Sequence, residues 1–155
     1  MSALQVFCEC CRLLRTYVRL VGAAVHTVSP SSLCDHSSVV PSVLIVDDHP
    51  SFRASARAVL EAEGFDVVGE AEDGASAVEA VHALSPDVIL LDVQLRDTSG
   101  FELCEYLCGD GPRPRVVLVS SREASDYGGL VETSPARGFI SKAELSGEAI
   151  RELLA

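Results

Sequence analysis

Positive charge is scarce in this sequence. Twelve Lys and Arg stand against 23 Asp and Glu, a net charge of −11. That balance argues against nucleic acid or an anionic membrane as direct partner, because both require clustered basic residues. Long apolar runs are missing as well. The best candidate, Leu13 to Val28, is broken by Arg15, Arg19 and His26, so no segment reads as a bilayer span. No basic stretch precedes those apolar residues and no clean small-residue cleavage site follows, which argues against a secretory signal and leads us to expect a cytoplasmic protein. The six cysteines are badly spaced for a metal. Cys8-Glu9-Cys10-Cys11 lacks a second spaced pair, with only Cys34 and His36 left to complete four ligands. Cys104 and Cys108, at i,i+4, read as small apolar residues facing a sheet rather than a redox pair or half of a metal site.

What remains is one domain with an extension. The 155 residues suffice for one full core and not comfortably for two, and an apolar fraction of 48% is ordinary for a globular chain. Residues 1–40 carry a net charge of +1, leaving −12 on 41–155, and the composition changes at that point. Residues 1–40 are therefore expected to be an N-terminal extension, disordered or partly helical, with Leu13, Leu14, Tyr17, Val18, Val21 and Val25 in partial helical register. Ser29-Pro30-Ser31-Ser32 and Ser37-Ser38 read as linker. Met1 is the only methionine and the domain begins at Val39-Val40-Pro41-Ser42, so residues 1–39 are also read as an over-extended gene start. N-terminal sequencing of the native protein tests this, and an intact Met1 or Ser2 terminus would sink it.

From Pro41 onward, short apolar runs alternate with helical stretches. Strands are predicted at 43–46, 66–69, 88–91, 115–119 and 138–140, and helices at 50–63, 75–84, 101–108, 125–133 (short) and 146–154. The first helix places Phe52, Ala56, Val59 and Leu60 on one face and ends at Gly64. Five such β-α units imply an α/β fold, a doubly wound parallel sheet with helices on both faces.

The chemistry sits at the strand ends. Val43-Leu44-Ile45-Val46 leads into Asp47-Asp48, Val88-Ile89-Leu90-Leu91 into Asp92, Val116-Val117-Leu118-Val119 into Ser120, and Gly138-Phe139-Ile140-Ser141 into Lys142. In an open parallel sheet, ligand-handling groups gather at the carboxyl ends of the strands. Three carboxylates, a hydroxyl and a lysine at one edge suit phosphoryl transfer. Crowded carboxylates repel, so either a pKa rises or a cation binds. Mg²⁺ is hard, takes one or two carboxylates, and keeps waters that a phosphoryl group can displace. The metal and a lysine then neutralise the charge on the transferring oxygens.

These four motifs, with Asp47-Asp48-His49-Pro50, Leu91-Asp92-Val93-Gln94, Val119-Ser120-Ser121 and Gly138-Phe139-Ile140-Ser141-Lys142 in order, resemble the receiver domain of bacterial two-component response regulators. The resemblance covers residues 42–155. It implies a flavodoxin-like, five-stranded sheet in the order 2-1-3-4-5, and a signalling phosphoacceptor rather than an enzyme. Carried over by position, Asp92 is the phosphoacceptor, and Asp47, Asp48, Asp92 and the Gln94 backbone carbonyl hold Mg²⁺. Lys142 pairs with the phosphoryl group, Ser120 hydrogen-bonds it, and Phe139 is the aromatic switch. The implied partners are a sensor histidine kinase or histidine phosphotransfer protein, and a target protein on the face formed by the fourth helix, fifth strand and fifth helix. No direct nucleic acid or membrane contact is implied, and a phosphorylation-dependent homodimer is compatible with the family.

Departures from the pattern stand out. Arg96 occupies a position where receivers usually have proline, which bears on the loop after Asp92. Ser120 replaces a more frequent threonine, and Pro135 falls where a glycine-alanine turn is usual, shortening the fourth helix. His49 reads as a helix-start residue and His82 as a surface one. Because the chain ends at Ala155, we expect a stand-alone receiver in a phosphorelay. The alternatives are a truncated DNA-binding regulator and a phosphorylation-independent docking module. An aspartate-nucleophile phosphatase would carry a second Asp at Gln94, and a nucleotide binder would need a glycine-rich loop where Asp47-Asp48-His49-Pro50 stands.

Overall fold

The computed structural model describes residues 40–109 and 114–155. The helix expected near Leu13–Val25, the cysteines at 8, 10, 11 and 34, and the remaining readings of 1–39 lie outside the described residues, as does most of the turn at 109–112. Residues 40–155 form a unit of their own. Its elements run β1 (Ser42–Val46), α1 (Pro50–Ala62), β2 (Asp66–Ala71), α2 (Gly74–Leu84), β3 (Val88–Asp92), α3 (Gly100–Leu107), β4 (Arg115–Ser120), α4 (Leu130–Thr133), β5 (Gly138–Ser141) and α5 (Gly147–Leu154). All strand pairs are parallel, as the alternating pattern leads one to expect, and the order is β2-β1-β3-β4-β5, as the resemblance implies.

The central strands are unbroken apolar runs at 43–46, 88–91 and 116–119 because both faces of the sheet are covered there. Alternation then sorts the residues. Val43, Ile45, Val88, Leu90, Val117 and Val119 pack on one side with Ala56 and Leu60 of α1 and Ile150 of α5. Leu44, Val46, Ile89, Leu91, Val116 and Leu118 face the other side, against Ala77 of α2 and Leu103, Cys104 and Cys108 around α3. The two cysteines are free and buried, and burial pushes the Cys104 thiol up to about 12, so they serve as packing atoms. Val59, read as inward from helical spacing, stays 36% exposed. His82 is exposed on α2.

Local signals set the helix ends. Pro50 opens α1, where its missing N–H costs nothing. Asp73 and Ser76 bond reciprocally across the first turn of α2. Ser146 caps α5 by accepting from the Ala149 N–H. β2 runs two residues beyond its expected end at Gly69, because a register shift between Val43 and Leu44 lets Gly69, Glu70 and Ala71 keep pairing with β1. The fourth helix differs most from expectation. Residues 125–133 are not one helix: a 3₁₀ turn at Ala124–Tyr127 gives way at Gly128 (φ +57°) to the four-residue α4. The Gly128-Gly129 pair and Ser134-Pro135 leave too few helix-forming residues for two continuous turns.

Candidate functional site

The site lies where β1, β3, β4 and β5 end. Asp47 follows β1 and is fully buried, its N–H donating to the Ala71 carbonyl at 3.0 Å. Its Oδ1 accepts the His49 N–H at 2.8 Å, and its own carbonyl accepts from Arg53 Nη1 at 2.6 Å. The N-cap of α1 is His49, without a side-chain cap bond, so the acidic pair is not simply a helix cap.

Asp92 closes β3 and is 2% exposed. Its Oδ1 accepts the Gln94 N–H at 3.2 Å, and its Oδ2 accepts from Lys142 Nζ at 2.9 Å. Lys142 is the only lysine in the chain. Its Nζ also lies 2.5 Å from Asp47 Oδ2 and 4.6 Å from the Phe52 ring centroid. Burial pushes the Asp92 carboxyl up, against the pull of Lys142, with Asp47 adding repulsion. Burial works against the Lys142 ammonium too, but its two carboxylate partners outweigh that and hold it above the ordinary lysine value. Gly100 allows this arrangement. A Cβ there would stand 2.2 Å from the Asp92 carbonyl oxygen, so the α3 N-terminus approaches the end of β3 only without a side chain.

Asp48 sits at the open side of the pocket. Its Oδ2 lies 3.2 Å from Arg96 Nε, its carbonyl accepts from Arg96 Nη2 at 2.9 Å, and its Oδ1 lies 2.6 Å from His49 Nδ1. Ligand atoms of Asp47, Asp48, His49 and Asp92 all fall within 4.8 Å of one another. Asp47 Oδ2 meets only the Lys142 ammonium, and Asp48 Oδ1 only the His49 ring nitrogen. Three carboxylates around one ammonium leave surplus negative charge, which is costly to bury. The three carboxylates of that set offer oxygen ligands that suit a hard divalent cation, so these residues fit Mg²⁺.

Ser120 ends β4 and is 1% exposed. Its Oγ accepts the Arg122 N–H at 3.1 Å and shares a 2.6 Å hydrogen bond with the Tyr127 hydroxyl. Phe139 on β5 is half-buried, its ring 6.1 Å from that of Tyr127, which in turn meets Phe101 edge-on at 5.6 Å. The fold thus joins Asp47 and Asp92 through Lys142 and brings Asp48 within 4.8 Å of both carboxylates, with Ser120 and Phe139 at the neighbouring strand ends. Gln94 approaches Asp92 through its N–H and bridges to Ser99 across the loop. Sequence reasoning passed over three residues here. Tyr127 lay inside a poorly patterned segment, Gly100 looked like an ordinary helix start, and Arg96 was noticed only as an absent proline.

The chain matches the response regulator receiver domain over residues 43–154 and belongs to that family. The nitrate/nitrite response regulator protein NarP of Escherichia coli (strain K12) is 40% identical over 114 residues, covering 70% of this chain and 53% of that protein. The DNA-binding transcriptional activator EvgA of the same strain is 31% identical over 103 residues, covering 66% of this chain and 50% of that protein. The signal receiver domain of NarL from Mycobacterium tuberculosis superposes with a TM-score of 0.64 at 32% identity, covering 74% of this chain and 93% of that one. The chain therefore spans about half the length of these curated relatives. It carries a two-component signalling domain with the flavodoxin-like sheet order. Among the described residues, no helix is long and apolar enough to cross a membrane.

Proposed function

We propose that Asp92 accepts a phosphoryl group from a phosphohistidine on a sensor kinase or phosphotransfer protein, with Mg²⁺ held by Asp47, Asp48, Asp92 and the Gln94 carbonyl. The observation that carries this reading is the pairing of buried Asp92 with Lys142, inside a cluster whose carboxylate oxygens fall within 4.8 Å of one another. An Asp92 carboxylate oxygen attacks phosphorus, the P–N bond breaks, and the imidazole leaves with the bonding pair. Bound Mg²⁺ would supply charge neutralisation on the transferring oxygens. Lys142, already 2.9 Å from Asp92 Oδ2, turns its charge to the incoming phosphoryl group. Burial of Asp47 and Asp92 keeps the charges in a low-dielectric site, where a fixed ammonium counts for more than in water. Ser120 donates its hydroxyl to the phosphoryl group, and Phe139 fills the space this leaves. The product acyl phosphate is labile, so the domain holds a transient mark in cytoplasmic signalling and is not an enzyme with turnover on a substrate.

Intact mass after incubation with acetyl phosphate and Mg²⁺, beside Asp92→Asn and an EDTA control, tests this. A phosphoryl adduct requiring both Asp92 and metal is expected. Absence of the adduct with Mg²⁺ bound would favour a phosphorylation-independent docking module.

The output reading has two forms. The face of α4, β5 and α5 can present the switched surface to a target protein in a phosphorelay. The half-length coverage of relatives that include a DNA-binding activator favours a second form, a receiver that controls a DNA-binding partner or segment. The mass of the native protein detected in its own cells separates the two: a product of this length supports stand-alone docking, and a longer one supports the DNA-binding regulator.

A further inference from the structure

The hydroxyl of Ser120 already has two partners before any phosphoryl group arrives. A serine hydroxyl offers one donor and two acceptor sites. Here the Arg122 N–H occupies one acceptor at 3.1 Å, and Tyr127 OH takes a second position at 2.6 Å, inside a region where Ser120 is 1% exposed. Tyr127 is itself fixed. It ends a 3₁₀ turn closed by reciprocal Glu123 and Asp126 bonds, and its ring lies between Phe101 of α3 and Phe139 of β5. One side chain therefore touches both groups that the proposed switch has to move.

We propose that Tyr127 is a positioning residue that holds Ser120 and Phe139 in the unphosphorylated arrangement and competes with the phosphoryl group for the Ser120 hydroxyl. This rests on Asp92 being the phosphoacceptor. With Ser120 as donor to Tyr127, its one O–H reaches a phosphoryl oxygen only after that bond opens. Phe139 turns inward only after the Tyr127 ring withdraws, because the two rings are packed at 6.1 Å. The segment that withdraws is short. Gly128, at φ +57°, separates the Tyr127 turn from α4, so the turn can shift without unwinding a long helix.

Tyr127→Phe keeps the ring and removes the bond. With acetyl phosphate and Mg²⁺, its adduct should form about two- to tenfold faster than wild type, the range set by one net hydrogen bond. Ser120→Ala and the double variant complete a cycle. In the Ser120→Ala background the acceleration should vanish, since Tyr127 then has nothing to hold. An acceleration that persists there, or none in the Tyr127→Phe protein, would overturn the proposal. A second reading uses the absence of tryptophan. The near-ultraviolet difference between adduct and free wild type should contain a tyrosine band that Tyr127→Phe lacks, and the same difference in both proteins overturns the assignment. No adduct on wild type at all removes the phosphoacceptor reading and this one with it. An adduct on wild type with no change in Tyr127→Phe removes this one alone.

Discussion

Replacing Lys142 with methionine keeps the length of the side chain and deletes its charge. The ammonium is 2.9 Å from Asp92 Oδ2 and 2.5 Å from Asp47 Oδ2, with the lysine side chain 12% exposed and both carboxylates buried. Breaking a buried pair by removing one partner typically costs about 3–5 kcal/mol, because an uncompensated charge stays behind. A ceiling also exists. Protonating one carboxyl of ordinary value 3.8 at neutral pH costs about 4 kcal/mol, so the protein takes up a proton before the penalty exceeds that. A loss of roughly 3 kcal/mol in EDTA at neutral pH follows, to which the Phe52 contact adds about 0.5–1 kcal/mol. Saturating Mg²⁺ gives the same carboxylates a new counter-charge, so the loss there should shrink to about 1 kcal/mol. Because Lys142 is held above its ordinary value, its contribution is fully present at neutral pH and disappears only as pH rises through that elevated value. The assay is urea unfolding followed by circular dichroism, in EDTA and in Mg²⁺. Equal losses in the two conditions would refute the reasoning, because the lysine would then act through packing and not as the counter-charge of the pocket.

Other outcomes follow from the same geometry. Arg96 holds the Asp48 carboxylate from an exposed position, so Arg96→Ala should raise Mg²⁺ affinity about two- to fivefold by calorimetry; unchanged or weaker binding would show that it does not compete with the cation. Gly100→Ala forces a Cβ onto the Asp92 carbonyl and should cost about 2–4 kcal/mol of stability, read by urea midpoint, and an effect below ~1 kcal/mol would mean that the approach relaxes freely. Glu70, bonded to Arg57 and Arg53, has its carboxyl held below its ordinary value of 4.5, so its contribution is present above that value and is lost as pH falls through the lowered one. Glu70→Gln should therefore flatten the acid limb of stability against pH by about 0.5–1 kcal/mol, and an unaltered limb would assign acid sensitivity elsewhere.

Much of the molecule was legible in one dimension. Unbroken apolar runs such as Val88-Ile89-Leu90-Leu91 have one physical reading, a strand covered on both faces, and the polar residue that ends each run must then emerge at the same sheet edge. That is why Asp47, Asp48, Asp92, Ser120 and Lys142 could be grouped without coordinates. The weak periodicity of 125–133 carried no such constraint, and the segment broke at Gly128 where one helix was expected.

By itself, then, the sequence determined the parallel α/β class and the strand-end constellation, because burial and side-chain alternation are properties of the local chain, and its motifs carried the resemblance that implied the strand order and the family. Tertiary structure alone decided the pairings across elements: Arg96 on Asp48, Tyr127 on Ser120, and Gly100 against the Asp92 carbonyl. Those contacts join residues whose separation in the chain bears no periodic relation to their distance in space, and only the packing of loops at the sheet edge brings them together.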